Sequence, residues 1–187
     1  MLSELVASRT KAGAKEENGE ESGSEDGSVI NIGFGPSKGA NVAEAADELA
    51  EEFLEYDDRE SKTELLMELG QSVPDGFEAL KRISTAVPGC MSEVYLVGRP
   101  QSDTPDCFEF AADSNAEVVR GLIGVLLHLY SGQKAEDILA FDMESFFRRI
   151  GLDQFVSTQR RSGLNGMIQR IRALAEAILE RQSGDSG

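Results

Sequence analysis

Apolar side chains first recur at helical spacing just after residue 41, where the patterned part of the chain begins. Asn41 stands three residues before Glu44, which is the spacing of a helix N-cap and its reciprocal carboxylate. Ser61 and Glu64 repeat that spacing ahead of LLMEL, and Gly70 follows as a predicted helix stop. The pattern predicts two consecutive helices. The apolar positions of the first are Val42, Ala46, Leu49, Ala50 and Phe53.

The hydrophobic period changes from helical to extended in the middle of the chain. VYLV at 94–97 is β-branched and aromatic, and it is predicted to form a strand. CFEFA at 107–111 alternates, so that Phe108 and Phe110 share one face of a second strand. The intervening residues are rich in turn formers, which indicates an antiparallel hairpin.

Helical patterns return after the hairpin. Residues 118–130 are apolar almost all round, which indicates a helix buried in the centre of the domain. Ser114 and Glu117 have the spacing of a capping box before it. The order helices, hairpin, helices predicts an α+β domain with a small antiparallel sheet of two to three strands packed against several helices. The remaining predicted helices cover residues 135–139, 143–150 (with Asp142 as N-cap) and 164–178.

Composition divides the chain into an arm and a domain. Residues 11–28 contain no large apolar side chain, so they are predicted to be disordered. SVINIGFGPSKGA at 28–40 lacks the spacing of a phosphate loop and is interpreted as a linker or a docked arm. We predict an acidic, largely disordered arm over residues 1–40, a domain over 41–180 and a flexible tail over 181–187.

The formal net charge is −16, and most of it falls in the segment 1–60, which carries far more acidic than basic side chains. Such an acidic chain repels phosphates and anionic lipid surfaces, so nucleic acid and membranes are not expected partners. The segment 1–15 lacks the apolar core of a signal peptide. A cytoplasmic protein is therefore predicted.

The chain carries one histidine and two cysteines, too few for a closed four-ligand zinc site, so no metal is predicted. His128 would have to be the base of any Ser-His-Asp or Cys-His hydrolase. It lies inside the apolar helical stretch, which favours a packed histidine over a catalytic one.

The two cysteines differ in their surroundings. Cys107 alternates with large aromatic residues in a predicted strand, which favours a small buried side chain. Cys90 follows Pro88 and Gly89 in a turn and precedes a strand, so it could be a small buried hydrophobe, half of a disulfide or a reactive thiol. No Lys or Arg lies within several residues to lower its pKa, and local chemistry leaves these alternatives open.

Six stretches spread over about residues 45–178 together resemble the SufE family of sulfur acceptor proteins. Each stretch is weakly specific alone, but they occur in the family's order. They are MELG at 67–70 with VP at 73–74, GCMSEV at 89–94, DS at 113–114 with VRGL at 119–122, FD at 141–142, GL at 151–152, and the set Arg160, Gly163, Leu164 and Met167.

The resemblance implies a SufE/IscU-like fold and a role in sulfur transfer. A cysteine desulfurase, which uses pyridoxal phosphate, would pass its persulfide sulfur to Cys90, and the acceptor would stimulate the desulfurase and deliver sulfur to an iron–sulfur assembly scaffold. Arg160 matches a family arginine and is the candidate for stabilising the thiolate or docking the desulfurase. The alternative interpretation is that Arg160 is a solvated residue at the start of a helix, with no role in the site. Asp113 is expected to order a turn. Met91 and Tyr95 replace an expected Gln and Trp, which affects partner choice.

On this resemblance the protein is an accessory sulfur carrier without a cofactor of its own, not an enzyme, and a monomer or weak homodimer. Two alternatives stay open. One is a scaffold on which an iron–sulfur cluster is built, although a cluster needs several cysteine ligands. The other is a regulatory protein that binds the desulfurase without carrying sulfur.

Overall fold

The computed structural model describes residues 32–34, 41–154 and 156–184. The predicted disorder of residues 11–28 lies outside these ranges, and the three domain boundaries stay predictions. Within the described residues, seven helices and one three-stranded antiparallel sheet confirm the predicted α+β class. No helix in those ranges is both long and apolar enough to cross a lipid bilayer. The elements are α1 (Val42–Leu54), α2 (Arg59–Gln71), α3 (Phe77–Ile83), β1 (Val94–Pro100), β2 (Cys107–Ser114), α4 (Glu117–Tyr130), β3 (Gln133–Lys134), α5 (Ala135–Ala140), α6 (Met143–Arg149), a 3-10 turn (Leu152–Gln154) and α7 (Thr158–Gly184).

The helix caps agree with the sequence prediction in two places. The Asn41 side chain accepts a hydrogen bond from the backbone N–H of Glu44 at 2.9 Å, and Asp142 caps α6 through Ser145 at 3.0 Å. Both contacts satisfy backbone donors that the first helical turn leaves without an intrahelical partner.

The other two predicted capping boxes are wrong. Asp58, three residues before Ser61, is the N-cap of α2, and its carboxylate accepts from both the N–H and the hydroxyl of Ser61. Ser114 is still part of β2, where it pairs with Val94 of β1, and its hydroxyl donates to the carbonyl of Glu93 just before β1. Helix α4 therefore begins at Glu117 with no side-chain cap.

The sheet has the order β1-β2-β3, with β2 in the centre. Phe108 and Phe110 are fully buried and stacked with ring centroids 5.6 Å apart, as the alternation predicted. The two-residue strand β3 pairs with the start of β2 and was not predicted, because two residues carry no periodicity.

Helix α4 occupies the centre of the main core, and α2 packs closely against it. Gly70 does not stop α2, which continues to Gln71; it is buried, and a side chain there would strike the backbone of Gly121. Gly121 and Gly124 likewise face the backbone of Leu66 and Leu69. These glycines are needed because the two helix backbones lie so close together.

A smaller hydrophobic cluster covers the opposite face of the sheet. Leu80, Tyr95 and Ala111 form its centre, and Ile32 and Phe34 pack against it. The guanidinium of Arg99 lies 3.9 Å from the centroid of the Phe34 ring, a cation–π contact. Residues 32–34 are therefore docked on the domain, as one of the two sequence interpretations predicted.

Candidate functional site

Cys90 lies at the tip of a loop that is closed at its base. The loop spans residues 88–93 between α3 and β1, and the N–H of Val87 donates to the carbonyl of Val94 at 2.8 Å. Gly89 has a φ of 83°, a left-handed conformation that glycine adopts without strain. The turn that this glycine permits directs the Cys90 side chain back toward the domain.

The loop rests directly on the backbone of α7. A Cβ atom built at Gly163 would lie 2.8 Å from the Cys90 sulfur, and one built at Gly166 would strike the carbonyl of Pro88. These two glycines are one helical turn apart, so they clear one strip of the helix surface. The position of Cys90 thus depends on the absence of side chains from that strip.

A pocket of about 390 Å³ opens beside the Cys90 sulfur. Its walls come from the loop, the first turns of α4 and the first turns of α7, and they combine apolar and polar side chains. Arg160 is the one charged side chain among the described residues that line it. The lining comprises Cys90, Met91, Ser92, Val119, Leu122, Ser157, Gln159, Arg160, Gly163, Leu164 and Met167.

Burial raises the pKa of the Cys90 thiol above its ordinary value. The thiol is therefore mostly protonated in the resting protein at neutral pH. Arg160 is exposed, and its guanidinium forms no ion pair with any residue that the structure describes. The structure thus brings a cation that is available for pairing to the pocket of a thiol that needs activation.

Glu93 anchors the other end of the Cys90 loop. Its carboxylate accepts hydrogen bonds from Lys81 and from the Tyr95 hydroxyl, both at 3.1 Å. Its backbone carbonyl accepts from Ser114 at 2.9 Å. Because Lys81 is already paired with Glu93, it is not the cation that would serve Cys90.

Asp113 is a buried structural carboxylate at the end of β2. It is 1% exposed and accepts hydrogen bonds from the backbone N–H groups of Gly76 and Ser114. Arg120 lies 3.0 Å from it and also bonds the carbonyl of Val73 at 2.8 Å. These contacts tie β2, α4 and the segment after α2 together, as expected of a residue that orders a turn.

The remaining candidate residues lie away from this pocket. His128 is buried in α4 and does not contribute to the pocket wall. Cys107 is partly buried at the start of β2, opposite Lys134 of β3. Within the described ranges, no group of three or more His, Cys, Asp or Glu side chains is placed to hold a metal ion.

The role of Gly163 and Gly166 was not predicted from the sequence. Each glycine inside a helix costs roughly 0.5–1 kcal/mol relative to alanine, so two of them in one turn signal a packing requirement. That signal indicates close approach by another segment, but the partner, residues 88–90, follows from the tertiary structure.

Comparison with known proteins identifies the family. The family model named SufE, described as an Fe-S metabolism associated domain, matches residues 47–175. An uncharacterized SufE-like protein of Rhizobium meliloti strain 1021 is 35% identical over 134 residues, which cover 71% of this chain and 96% of that protein. An uncharacterized SufE-like protein of Rhizobium etli is 37% identical over 131 residues, covering 70% of this chain and 88% of the relative.

The fold also matches a solved structure. The solution structure of a hypothetical protein from Thermus thermophilus superposes with a TM-score of 0.61 at 20% identity. The match covers 73% of this chain and 96% of the other chain, and at this identity it supports the fold alone.

Proposed function

The chain belongs to the SufE family of proteins associated with Fe–S metabolism, and we propose that it is a sulfur acceptor whose Cys90 takes persulfide sulfur from a cysteine desulfurase. It stimulates the desulfurase by removing this sulfur and delivers it to a downstream scaffold for iron–sulfur cluster assembly. The observation that carries the proposal is the position of Cys90, at the tip of a closed loop and beside an open pocket.

The proposed reaction is a thiol exchange. The Cys90 thiolate attacks the terminal sulfur of the desulfurase persulfide and forms a new S–S bond to it. The S–S bond in the desulfurase breaks, and its electron pair leaves with the desulfurase cysteine as a thiolate. Cys90 then carries the persulfide, and the step needs no external oxidant or reductant.

The pocket beside Cys90 supports the carrier role. It has room for an additional sulfur atom beside Cys90. The partial burial of Cys90 slows attack on the persulfide by soluble thiols, because exchange depends on access to the sulfur. Release of the sulfur to the next protein requires the loop to move away from α7. The contact between the loop and Gly163 is a packing contact, so the two can separate.

Arg160 has the proposed role of stabilising the thiolate or docking the desulfurase. Its guanidinium, which has no ion pair among the described residues, lies at the pocket of a thiol whose pKa is raised by burial. A nearby positive charge would favour the reactive thiolate form. Pyridoxal phosphate would belong to the desulfurase, and the acceptor would act in the cytoplasm without a cofactor, as a monomer or weak homodimer.

The decisive experiment is mass spectrometry after incubation with a purified cysteine desulfurase and labelled cysteine. We expect one added sulfur atom on Cys90 in the native chain and in Cys107→Ser, and none in Cys90→Ser. Desulfurase turnover should fall to its unstimulated rate with Cys90→Ser. Arg160→Ala should slow sulfur uptake, whereas Gln159→Ala, at the neighbouring pocket position, should not.

Three outcomes would contradict the proposal. Sulfur on Cys107 rather than Cys90 would move the acceptor site. Full stimulation by Cys90→Ser would indicate a regulatory protein that carries no sulfur. A cluster bound to the chain after anaerobic reconstitution would indicate a scaffold.

A further inference from the structure

A short segment at residues 32–34 contacts the domain, although it precedes the part of the chain that the SufE family model matches, residues 47–175. We call Ile32, Gly33 and Phe34 the docked tripeptide. Its two apolar side chains are partly buried against the smaller hydrophobic cluster, on the face of the sheet opposite the main core. The docked tripeptide is therefore an addition to the matched domain.

The docked tripeptide lies between neighbours that are themselves fixed. The Phe34 ring lies under the guanidinium of Arg99, which is paired with Glu109 of β2 at 2.6 Å. Gly33 lies against Pro74, and an added Cβ atom at Gly33 would be 2.8 Å from the Pro74 Cβ. The proline ring cannot rotate away from such a contact, so a single methyl group at Gly33 would displace the tripeptide.

Tyr95 belongs to the cluster that the docked tripeptide covers, and it also lies at the base of the Cys90 loop. Successive side chains of a strand point to opposite faces of the sheet, so Val94 and Leu96 enter the main core while Tyr95 enters the smaller cluster. The backbone of Tyr95 pairs with Ala86, which lies just before the loop. The tripeptide therefore packs against a cluster that includes a residue at the base of the loop.

The Tyr95 side chain also reaches the end of the loop. Its hydroxyl donates to the Glu93 carboxylate at 3.1 Å, and Lys81 of α3 pairs with the same carboxylate. The Tyr95 ring packs edge-on against Phe77 of α3, with ring centroids 5.4 Å apart. A shift of the Tyr95 ring would therefore move both the base and the last residue of the loop that carries Cys90.

We propose that the docked tripeptide positions the Cys90 loop through Tyr95. Its presence fixes the Tyr95 ring, and the hydrogen bond to Glu93 extends this order to the end of the loop. Because closely packed side chains transmit displacements, loss of the tripeptide contact loosens the loop and exposes the Cys90 sulfur. Ile32 and Phe34 do not line the Cys90 pocket, so they are positioning residues. The role of Cys90 as sulfur acceptor rests on the proposed function, whereas the dependence of the loop on the tripeptide does not.

Alkylation of Cys90 with iodoacetamide in the full chain tests this dependence. Gly33→Ala and Phe34→Ala should each make Cys90 react at least about threefold faster, because the rate follows the population of the exposed loop. Gly184→Ala is the matched control, since an added methyl group there meets no atom of the described residues within 4 Å. Phe34→Tyr keeps an aromatic ring under Arg99 and should react at the native rate.

Two further measurements distinguish positioning from a general effect on stability. The alkylation rate of Phe34→Ala should level off at a lower pH than that of the native chain, closer to 9.0, because exposure of the Cys90 thiol removes the effect of burial on its pKa. Tyr95→Phe removes the hydrogen bond to Glu93 and should itself accelerate the reaction of Cys90. In a double-mutant cycle, Gly33→Ala should then add a smaller factor to Tyr95→Phe than it adds to the native chain.

Three results would overturn the inference. A native alkylation rate in both Gly33→Ala and Phe34→Ala would show that the loop does not depend on the tripeptide. Equal acceleration of Cys90 and Cys107 would mean that the whole domain has loosened. The same factor for Gly33→Ala with and without the Tyr95 hydroxyl would exclude the route through that group. None of these measurements uses a desulfurase, so failure here is distinguishable from failure of the proposed function.

Discussion

Replacement of Gly163 by alanine has different expected effects on the stability of the domain and on the position of the Cys90 loop. The new Cβ would lie 2.8 Å from the Cys90 sulfur and 3.4 Å from the Cys90 Cα and Cβ. Unstrained non-bonded contacts are about 3.5–4.0 Å, so the Cys90 sulfur must move about 1 Å away from the helix, through a change of its side-chain rotamer or displacement of the loop. Overpacking of this kind costs about 1–3 kcal/mol.

Helix propensity acts in the opposite direction. Alanine stabilises a helix interior by about 1 kcal/mol relative to glycine. That gain is the same whether the loop is seated or displaced, so it changes the stability of the domain but not the loop equilibrium. We expect Gly163→Ala to lower the free energy of unfolding by at most about 2 kcal/mol. The loop equilibrium should shift toward the displaced form by about 5- to 150-fold.

Alkylation with iodoacetamide measures the displaced population of the loop. When opening is fast relative to the chemical step, the rate follows that population, so Cys90 should react at least about fivefold faster in Gly163→Ala. Cys107 in the same molecule serves as an internal reference. Gln169→Ala is the matched control, because it changes an exposed position of α7 away from the loop.

Two results would refute this account of the loop. If Gly163→Ala reacted at the native rate, the glycine contact would not hold Cys90. If Cys90 and Cys107 accelerated together, the substitution would have loosened the whole domain. Gly166→Ala should reproduce the selective effect, because its side chain would strike Pro88 in the same loop.

Two further predictions concern charge. Burial raises the pKa of Cys90 above its ordinary value of 9.0, so its alkylation rate should keep rising with pH beyond 9.0; a midpoint below that value would contradict the burial. As pH rises past 9.0, the Cys90 thiol loses its proton in the unfolded chain before it does so in the folded protein. The neutral thiol therefore contributes its full stabilisation below pH 9.0, and this contribution declines above that pH. Cys90→Ser should remove the decline. Asp113→Asn should cost about 3 kcal/mol in urea unfolding, because it removes one partner of a buried ion pair with Arg120. Asp75→Asn, which removes the 96% exposed partner of the same arginine, should cost less than about 1 kcal/mol, and equal costs would show that burial does not control the pair.

Local pattern was sufficient for much of the fold. The alternation in CFEFA placed Phe108 and Phe110 on the buried face, and the uniformly apolar stretch at 118–130 identified the central helix. The caps at Asn41 and Asp142 were predictable because each contact spans three residues. The prediction of Ser61 as the cap of α2 was wrong. Asp58, three residues earlier, has the same three-residue spacing to Ser61 that Ser61 has to Glu64, and it is the actual cap.

The predictions that were wrong concern features that depend on contacts between residues distant in the sequence. Gly70 has the composition of a helix stop, but its role is set by Gly121, which lies on a different helix. Ser114 belongs to a strand because it pairs with Val94 of β1, twenty residues earlier in the sequence. Cys90 and Arg160 line the same pocket, although the hairpin and the central helix lie between them in the sequence. Family resemblance indicated both residues, whereas their separation in the sequence gave no sign that they are close.

The contact between the Cys90 loop and α7 distinguishes substitutions that move the cysteine from substitutions that change only the exposed surface of the loop. Cys90 is positioned by backbone shape, through Gly163 and Gly166, whereas Met91 beside it is 78% exposed. A substitution at Met91 alters what the loop presents to another protein without disturbing the contact that seats the thiol. The surface that the loop presents can therefore diverge in evolution while the Cys90 sulfur keeps its place.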